Sequence, residues 1–160
     1  MPLRNNVTRL LDARQVFYEV FELPPEKHSA EETAALLGVS PHVVYKTLVV
    51  LRETRGKKPL LVMAPGGGEI SLKALATSLG EKKLKLATQR EAEALTGLQV
   101  GGISALALLN RGFEICLDRS AQPLPAIHLS AGQRGANLKL AVPDLIRLTN
   151  ARLVDTAGAE

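Results

Sequence analysis

The fold of this chain is organised around one stretch of sequence, Tyr45-Lys46-Thr47-Leu48-Val49-Val50-Leu51. Its β-branched residues favour an extended, buried strand, and a single lysine stands near its start. Just upstream, Ser40-Pro41 is typical of a helix start, because a capping hydroxyl precedes a proline at the first helical position. We therefore expect the chain to make one short helical turn and then enter a core strand, with Lys46 at the boundary.

Two roles for Lys46 are compatible with this pattern. The lysine can mark the end of the strand, with its ammonium group extended to water and its methylenes on apolar neighbours. A lysine held against apolar walls can instead present a positive charge to a carbonyl or phosphate group. The pattern alone favours the first role and leaves the second open.

The composition is that of one globular domain. A length of 160 residues is enough to bury a substantial core. The hydrophobic fraction of 46% and the charged fraction of 22% are ordinary for such a protein. Aromatic residues make up only 3% of the chain and Trp is absent, which argues against an RNA-binding surface of stacked aromatic rings.

The net charge and the cysteine content limit the possible partners and metal sites of the protein. The formal net charge of +4 is compatible with a polyanionic partner but is far from that of a basic arm. Cys116 is the only cysteine, so an intrachain disulfide and a Cys-based zinc site are excluded. No segment resembles a signal peptide or is long and apolar enough to cross a bilayer. We expect a soluble, cytoplasmic protein without a membrane partner.

Short-range signals outline the helices. A capping hydroxyl precedes an apolar run, and a glycine follows it, in three segments: 29–38, 71–80 and 88–97. Asn5 or Asn6 can cap an earlier helix, and Pro143 begins the last one.

Apolar or alternating segments predict the strands, at 16–21, 45–51, 60–64, 83–87, 113–118 and 138–140, with a further short strand at 152–155. The second and third of these are expected to pair as a hairpin, and residues 98–104 to pass from a strand into a loop. Alternation places Cys116 on the face opposite Ile115 and Leu117. Short strands joined mostly by hairpin-like turns, with helices between some of them, predict an α+β fold with a mixed sheet.

Few residues suggest chemistry by themselves. The histidines lie far apart, without the spacing of a metal site: His28, His42 and His128. Cys116 has no basic neighbour in sequence and is expected to be a packed small hydrophobe.

The polar residues of the glycine-rich turns are equally ambiguous. Ser104 and Ser130 each lie in a glycine-flanked turn, where serine usually bonds the backbone, and Arg134 in such a turn is more often a solvated charge. The glycines at 66–68 lack the spacing of a phosphate-binding loop. The residues alone therefore indicate the turns at Ser104 and Ser130, together with Lys46, as the best candidates for an active site. They identify no substrate.

Taken together, those places resemble the YbaK/EbsC family, freestanding aminoacyl-tRNA deacylases related to the editing domain inserted in bacterial prolyl-tRNA synthetases. The matching segments are 44–48, with Lys46; the helix 71–80, with its Leu72-Lys73 start; 96–97; 100–104; and 130–135. They occur in the family's order and at its spacing across nearly the whole chain.

The resemblance implies a single domain over residues 1–160 with the YbaK/ProRS-associated fold, in which a mixed, largely antiparallel and partly barrel-like sheet is surrounded by helices. It also implies hydrolysis of the ester between a mischarged amino acid and the 3′-terminal adenosine of tRNA, with cysteinyl-tRNA(Pro) as the leading substrate. Neither a metal nor a cofactor is implied. The implied partners are tRNA and, as a candidate, prolyl-tRNA synthetase.

The resemblance assigns catalytic roles to Lys46 and Gly101. It implies substrate binding by a larger group: Tyr45, Thr47, Gly102, Ile103, Ser104, Ser130, Gly132, Arg134 and Asn137. No protein nucleophile is implied, because the thiol of a cysteinyl ester attacks its own carbonyl in the family's usual scheme. A positioned water would attack an alanyl ester, and the enzyme contributes mainly orientation.

The sequence differs from the family pattern at three places. Ala105 stands where the family has a proline, Asn137 where many members have an aspartate, and His28-Ser29-Ala30 where cysteine-specific members have an aromatic residue. Two alternatives therefore stay open: a deacylase for another small amino acid such as alanine, and a catalytically weak module that binds tRNA or a synthetase. The assignment to this family requires Lys46 and the two glycine-bearing turns, at 100–104 and 130–135, to meet at one cavity.

Overall fold

The computed structural model describes residues 3–53 and 56–157. The described chain contains five α-helices: α1 (Asn6–Ala13), α2 (Ala30–Leu37), α3 (Leu72–Leu79), α4 (Gln89–Thr96) and α5 (Val142–Thr149). Its eight strands are β1 (Tyr18–Glu22), β2 (Tyr45–Arg52), β3 (Leu60–Pro65), β4 (Leu84–Leu86), β5 (Glu114–Asp118), β6 (Ala126–Ser130), β7 (Ala136–Ala141) and β8 (Arg152–Val154). None of the described helices is long and apolar enough to cross a membrane.

The strands form two sheets. The larger has the order β4-β2-β3-β5-β8 and is mixed, since β2 is antiparallel to β3 and β4 whereas β3, β5 and β8 run parallel. The smaller has the order β1-β7-β6 and is antiparallel. The predicted α+β fold, mixed sheet and β2–β3 hairpin are confirmed. The sheets meet through one isolated bridge between Val44 and His128, so the partly barrel-like arrangement is not closed.

The predictions for Val16 and for residues 98–104 were wrong for identifiable reasons. Val16 is not in β1, because its N–H donates to Leu11 O (3.0 Å) and the residue packs in the core behind α1. No strand occupies residues 98–104. There Gly102 N donates to Gln99 O (2.8 Å) in a turn, and Gly101 has a φ of +97°, which a strand residue does not adopt.

Apolar residues pack on both faces of the larger sheet. The larger cluster includes Ile115 and Leu117 of β5, together with core residues of the smaller sheet such as Leu138. The smaller cluster includes Cys116 of the same strand and Leu75 of α3. Alternation along β5 therefore sends Cys116 to the opposite side from its neighbours, as predicted.

Burial of Cys116 leads to a prediction about its reactivity. The side chain is fully buried, and that burial raises the pKa of its thiol to about 12, so the reactive thiolate is scarce in the native protein. At about pH 8, an aromatic disulfide reagent is expected to leave the folded protein unmodified and to react with one thiol after unfolding in guanidinium. Equal rates before and after unfolding would contradict this placement.

The cap of α1 gives a second prediction. Asn5 accepts from Thr8 N (3.0 Å) at the helix start and donates through Nδ2 to Ala131 O (2.8 Å) in a distant turn. Asn5→Ala is therefore expected to lower the free energy of unfolding by about 1–2 kcal/mol in urea titrations. Asn6→Ala is the matched control. Among the described residues, the side chain of Asn6 bonds only to the exposed side chain of Arg9, so this variant is expected to change stability by less than about 0.5 kcal/mol.

Candidate functional site

A cavity of about 600 Å³ lies between the start of β2, the N-terminal end of α2, the loop after α4 and the smaller sheet. Segments that are distant in the chain meet in its walls, including Lys46, Gly101, Ser130 and Asn137. The cavity also has apolar walls, to which Val49 and Ile103 contribute. Lys46 and both glycine-bearing turns are thus brought together, as the family resemblance requires.

Lys46 is the second residue of β2 and pairs with Ala64 of β3. Its Nζ donates to Gly68 O (3.2 Å) in the turn that follows β3, and within the described chain it enters no salt bridge. Gly66, in the same turn, lets α2 approach closely, because a Cβ there would lie 1.9 Å from the Cβ of Ala30. The turn therefore both holds the lysine ammonium and sets the position of the opposite wall.

The two glycine-bearing turns touch through their backbones. A Cβ on Gly102 would lie 2.8 Å from Gln133 Cα and from Arg134 N, so only glycine permits the contact. Arg134 Nε donates to Val100 O (2.8 Å), which ties the two turns together. Gly101 is left at the cavity wall, with the side chains of Lys27 and Arg134 beside it.

The smaller sheet contributes polar side chains to the cavity. Ser130 of β6 and Asn137 of β7 are register partners, so their side chains lie on the same face of the sheet. Ser130 Oγ accepts from Gly132 N (3.2 Å), and Asn137 Oδ1 accepts from His128 Nδ1 (2.9 Å). Both residues line the cavity.

The other predicted site residues divide into two groups. Tyr45, Thr47 and Ile103 line the cavity, although the hydroxyl of Tyr45 is bonded to Ser120 Oγ (2.7 Å). The second group supports the turns behind the wall: Gly102, Ser104, Gly132 and Arg134. Ser104, for example, is buried and accepts from Leu106 N (3.2 Å). All the functional roles given to these residues remain predictions.

Charged residues that the sequence did not single out also line the cavity. They carry both signs: Glu26, Lys27, Glu31 and Glu69. Glu31 lies in the first turn of α2, and the others lie in loops, so no periodic pattern marks them. The only sequence signal nearby is the departure from the family pattern at His28-Ser29-Ala30. In the described part of the chain, no three His, Cys, Asp or Glu side chains are grouped so that they could hold a metal ion.

Comparisons with known proteins identify the family of the chain. The family model described as the aminoacyl-tRNA editing domain matches residues 24–148, which include every cavity-lining residue named above. EbsC of Enterococcus faecalis, a proposed Cys-tRNA(Pro)/Cys-tRNA(Cys) deacylase, is 33% identical over 159 residues, or 98% of this chain and 95% of EbsC.

A shorter match and a solved structure extend the comparison. A proline–tRNA ligase of Thermodesulfovibrio yellowstonii is 39% identical over 77 residues, which are 48% of this chain and 13% of the ligase. The crystal structure of a proposed trans-editing enzyme for prolyl tRNA synthetase aligns with a TM-score of 0.80 and 25% identity, covering 99% of this chain and 100% of that one. The chain therefore belongs to the aminoacyl-tRNA editing domain family.

Proposed function

We propose that this chain hydrolyses the ester bond between a mischarged amino acid and the 3′-terminal adenosine of tRNA. The observation that carries the proposal is the meeting of Lys46, the Gly101 turn and Asn137 at one cavity, inside the segment matched by the editing-domain model. The substrate of EbsC, as its name states it, is an ester of this class.

The size and charge of the cavity suit the end of an aminoacyl-tRNA. Its volume of about 600 Å³ is in the usual range for small-molecule sites. The substrate end carries negative phosphates and a positive α-ammonium group. The cavity walls carry charges of both signs, the ammonium groups of Lys27 and Lys46 and the carboxylates of Glu31 and Glu69. A ligand with both charges is therefore better matched than a purely anionic one.

Lys46 and the Gly101 turn are proposed to stabilise the charge that develops during hydrolysis. The exposed ammonium group favours negative charge on the carbonyl oxygen or on the nearby phosphate, and the backbone around Gly101 orients the ester. A nucleophile, either the thiol of the substrate or a water, forms a bond to the carbonyl carbon as the acyl C–O bond breaks, and its proton passes to the 3′-oxygen of tRNA, which leaves as the hydroxyl. Where the thiol is the nucleophile, a water then opens the resulting cyclic thioester and releases the free amino acid. Cys116 is not the nucleophile, because it is buried in the smaller apolar cluster.

The leading substrate is cysteinyl-tRNA(Pro), in which the thiol of the substrate attacks its own carbonyl. The name of EbsC, which gives both Cys-tRNA(Pro) and Cys-tRNA(Cys), supports a cysteinyl ester, and the match to a proline–tRNA ligase supports tRNA(Pro) and an association with such a ligase. An alanyl ester, attacked by a positioned water, is the alternative within the same reaction class.

A panel of mischarged tRNAs tests the proposal. Purified protein is incubated with cysteinyl-, alanyl- and seryl-tRNA(Pro), with correctly charged prolyl-tRNA(Pro) as the control, and with or without prolyl-tRNA synthetase. We expect the cysteinyl ester to be cleaved fastest and the prolyl ester to survive. Saturable tRNA binding without cleavage of any ester would contradict the proposal and favour the binding module.

A further inference from the structure

The smaller sheet has one polar face and one apolar face. Leu129 and Leu138 point into the large apolar cluster. Side chains alternate along each strand, so the neighbours of these leucines point to the other face, and the strand register places residues of all three strands together there. They are Glu19, Phe21, His128, Ser130, Asn137 and Lys139. This polar face ends at the cavity, which Ser130 and Asn137 line.

His128 and Asn137 are the buried members of this face. Only 4% of His128 is exposed, its ring lies 5.5 Å from the ring of Phe21, and its backbone forms the bridge to Val44. Lys139 and Glu19, the charged residues of the face, form an ion pair with each other (3.9 Å). Burial lowers the pKa of His128, so the ring is neutral near pH 7 and one of its nitrogens carries a single proton.

The hydrogen bond between His128 and Asn137 sets the orientation of the asparagine amide. Asn137 Oδ1 can only accept, so His128 Nδ1, at 2.9 Å, carries the proton. With Oδ1 held by the ring, the amide nitrogen Nδ2 occupies the other end of the group. Nδ2 makes no hydrogen bond with the described residues. Among those residues, every side-chain nitrogen or oxygen that is buried has a hydrogen-bond partner, so an unbonded Nδ2 is not buried. Nδ2 therefore reaches accessible space, and the accessible space beside Asn137 is the cavity.

We propose that His128 is a positioning residue, which holds the Asn137 amide so that Nδ2 donates a hydrogen bond to an oxygen atom of the bound ester. A group that is fixed as a donor cannot bind the α-ammonium of the substrate, but it matches a carbonyl or ribose oxygen. The nature of the ligand rests on the proposed function, whereas the orientation of the amide does not.

The orientation is tested first without any reaction. Long-range ¹H–¹⁵N NMR spectra of the free protein identify which nitrogen of His128 is protonated, and we expect Nδ1. Adding 3′-alanylamino-3′-deoxyadenosine, a stable amide analogue of the substrate end, should shift the Asn137 side-chain amide in the wild type and not in His128→Phe. Protonation at Nε2, or an unshifted Asn137 amide in the wild type, would overturn the proposal.

A double-mutant cycle then tests the positioning role. His128→Phe and Asn137→Ala are each expected to lower kcat/KM by about fivefold to tenfold, the size of one hydrogen bond. Because His128 acts through Asn137, the double variant should be no worse than Asn137→Ala alone. His128→Asn, which keeps a donor near the place of Nδ1, should recover part of the activity. Losses that multiply in the double variant would overturn the proposal.

A control separates positioning from simple loss of stability. Ile127→Val removes a methylene from the apolar face of the same strand and is expected to lower the melting temperature while leaving kcat/KM unchanged. If the wild type cleaves none of the esters, the proposed function fails, and the protonated nitrogen of His128 still decides the orientation of Asn137.

Discussion

Lys46→Ala is expected to lower kcat/KM for the mischarged ester by at least about a hundredfold, the usual cost of removing one charge-stabilising donor. Its stability should change by less than about 0.5 kcal/mol, because Nζ makes one exposed hydrogen bond, to Gly68 O (3.2 Å). Single-turnover deacylation assays measure the first effect, and thermal unfolding measures the second.

Two further lysine variants make the result specific. Lys83→Ala removes an exposed lysine whose nearest charged partner is Glu53 (3.8 Å), and it should keep full activity. Lys46→Arg keeps the charge in a larger, planar group and should retain part of the activity. A fully active Lys46→Ala variant would remove the role assigned to this residue.

Gly102→Ala is expected to damage both stability and activity. The added Cβ would lie 2.8 Å from the Gln133 and Arg134 backbones, so the two turns must separate. Overpacking of this kind costs about 1–3 kcal/mol, and separation of the turns would move Gly101 relative to Lys46. Urea unfolding and kcat/KM, measured under conditions where the variant is folded, test the two effects.

The matched control is Gly67→Ala. A Cβ on Gly67 would have its nearest contact, His42 Cε1, at 3.6 Å, and this is an ordinary packing distance. The variant is expected to keep wild-type stability within about 0.5 kcal/mol. If Gly102→Ala behaved like this control, the contact between the turns would not be needed to shape the site.

Local signals were sufficient for the helices. The predicted capping hydroxyls of Ser29 and Thr88 accept hydrogen bonds at the starts of α2 and α4, and Gly38 and Gly97 end these helices in the left-handed conformation. The choice between Asn5 and Asn6 as the first cap was settled by contacts that include Ala131, 126 positions away. Asn5 is held as the cap both by reciprocal hydrogen bonds with Thr8, three residues away, and by its bond to this distant turn.

Contacts between distant segments explain why two strand predictions were wrong. β7 begins at Ala136, earlier than the apolar pattern predicted, because it pairs with β1 on one side and with β6 on the other. Residues 98–104 have the composition of a strand end but pack as a turn against residues 133–134. In both cases the conformation depends on a partner that lies far away in the chain.

The sequence by itself determined the caps and closing glycines of α2, α3 and α4, the alternation that buries Cys116, and a set of ordered motifs specific enough to indicate the family. Only the tertiary structure decided that Lys46, Gly101 and Asn137 share a cavity, that Glu31 and Glu69 line it, and that His128 is hydrogen-bonded to Asn137. The physical reason is the range of the interactions: capping and alternation act over a few residues, whereas a cavity exists only where distant segments pack together.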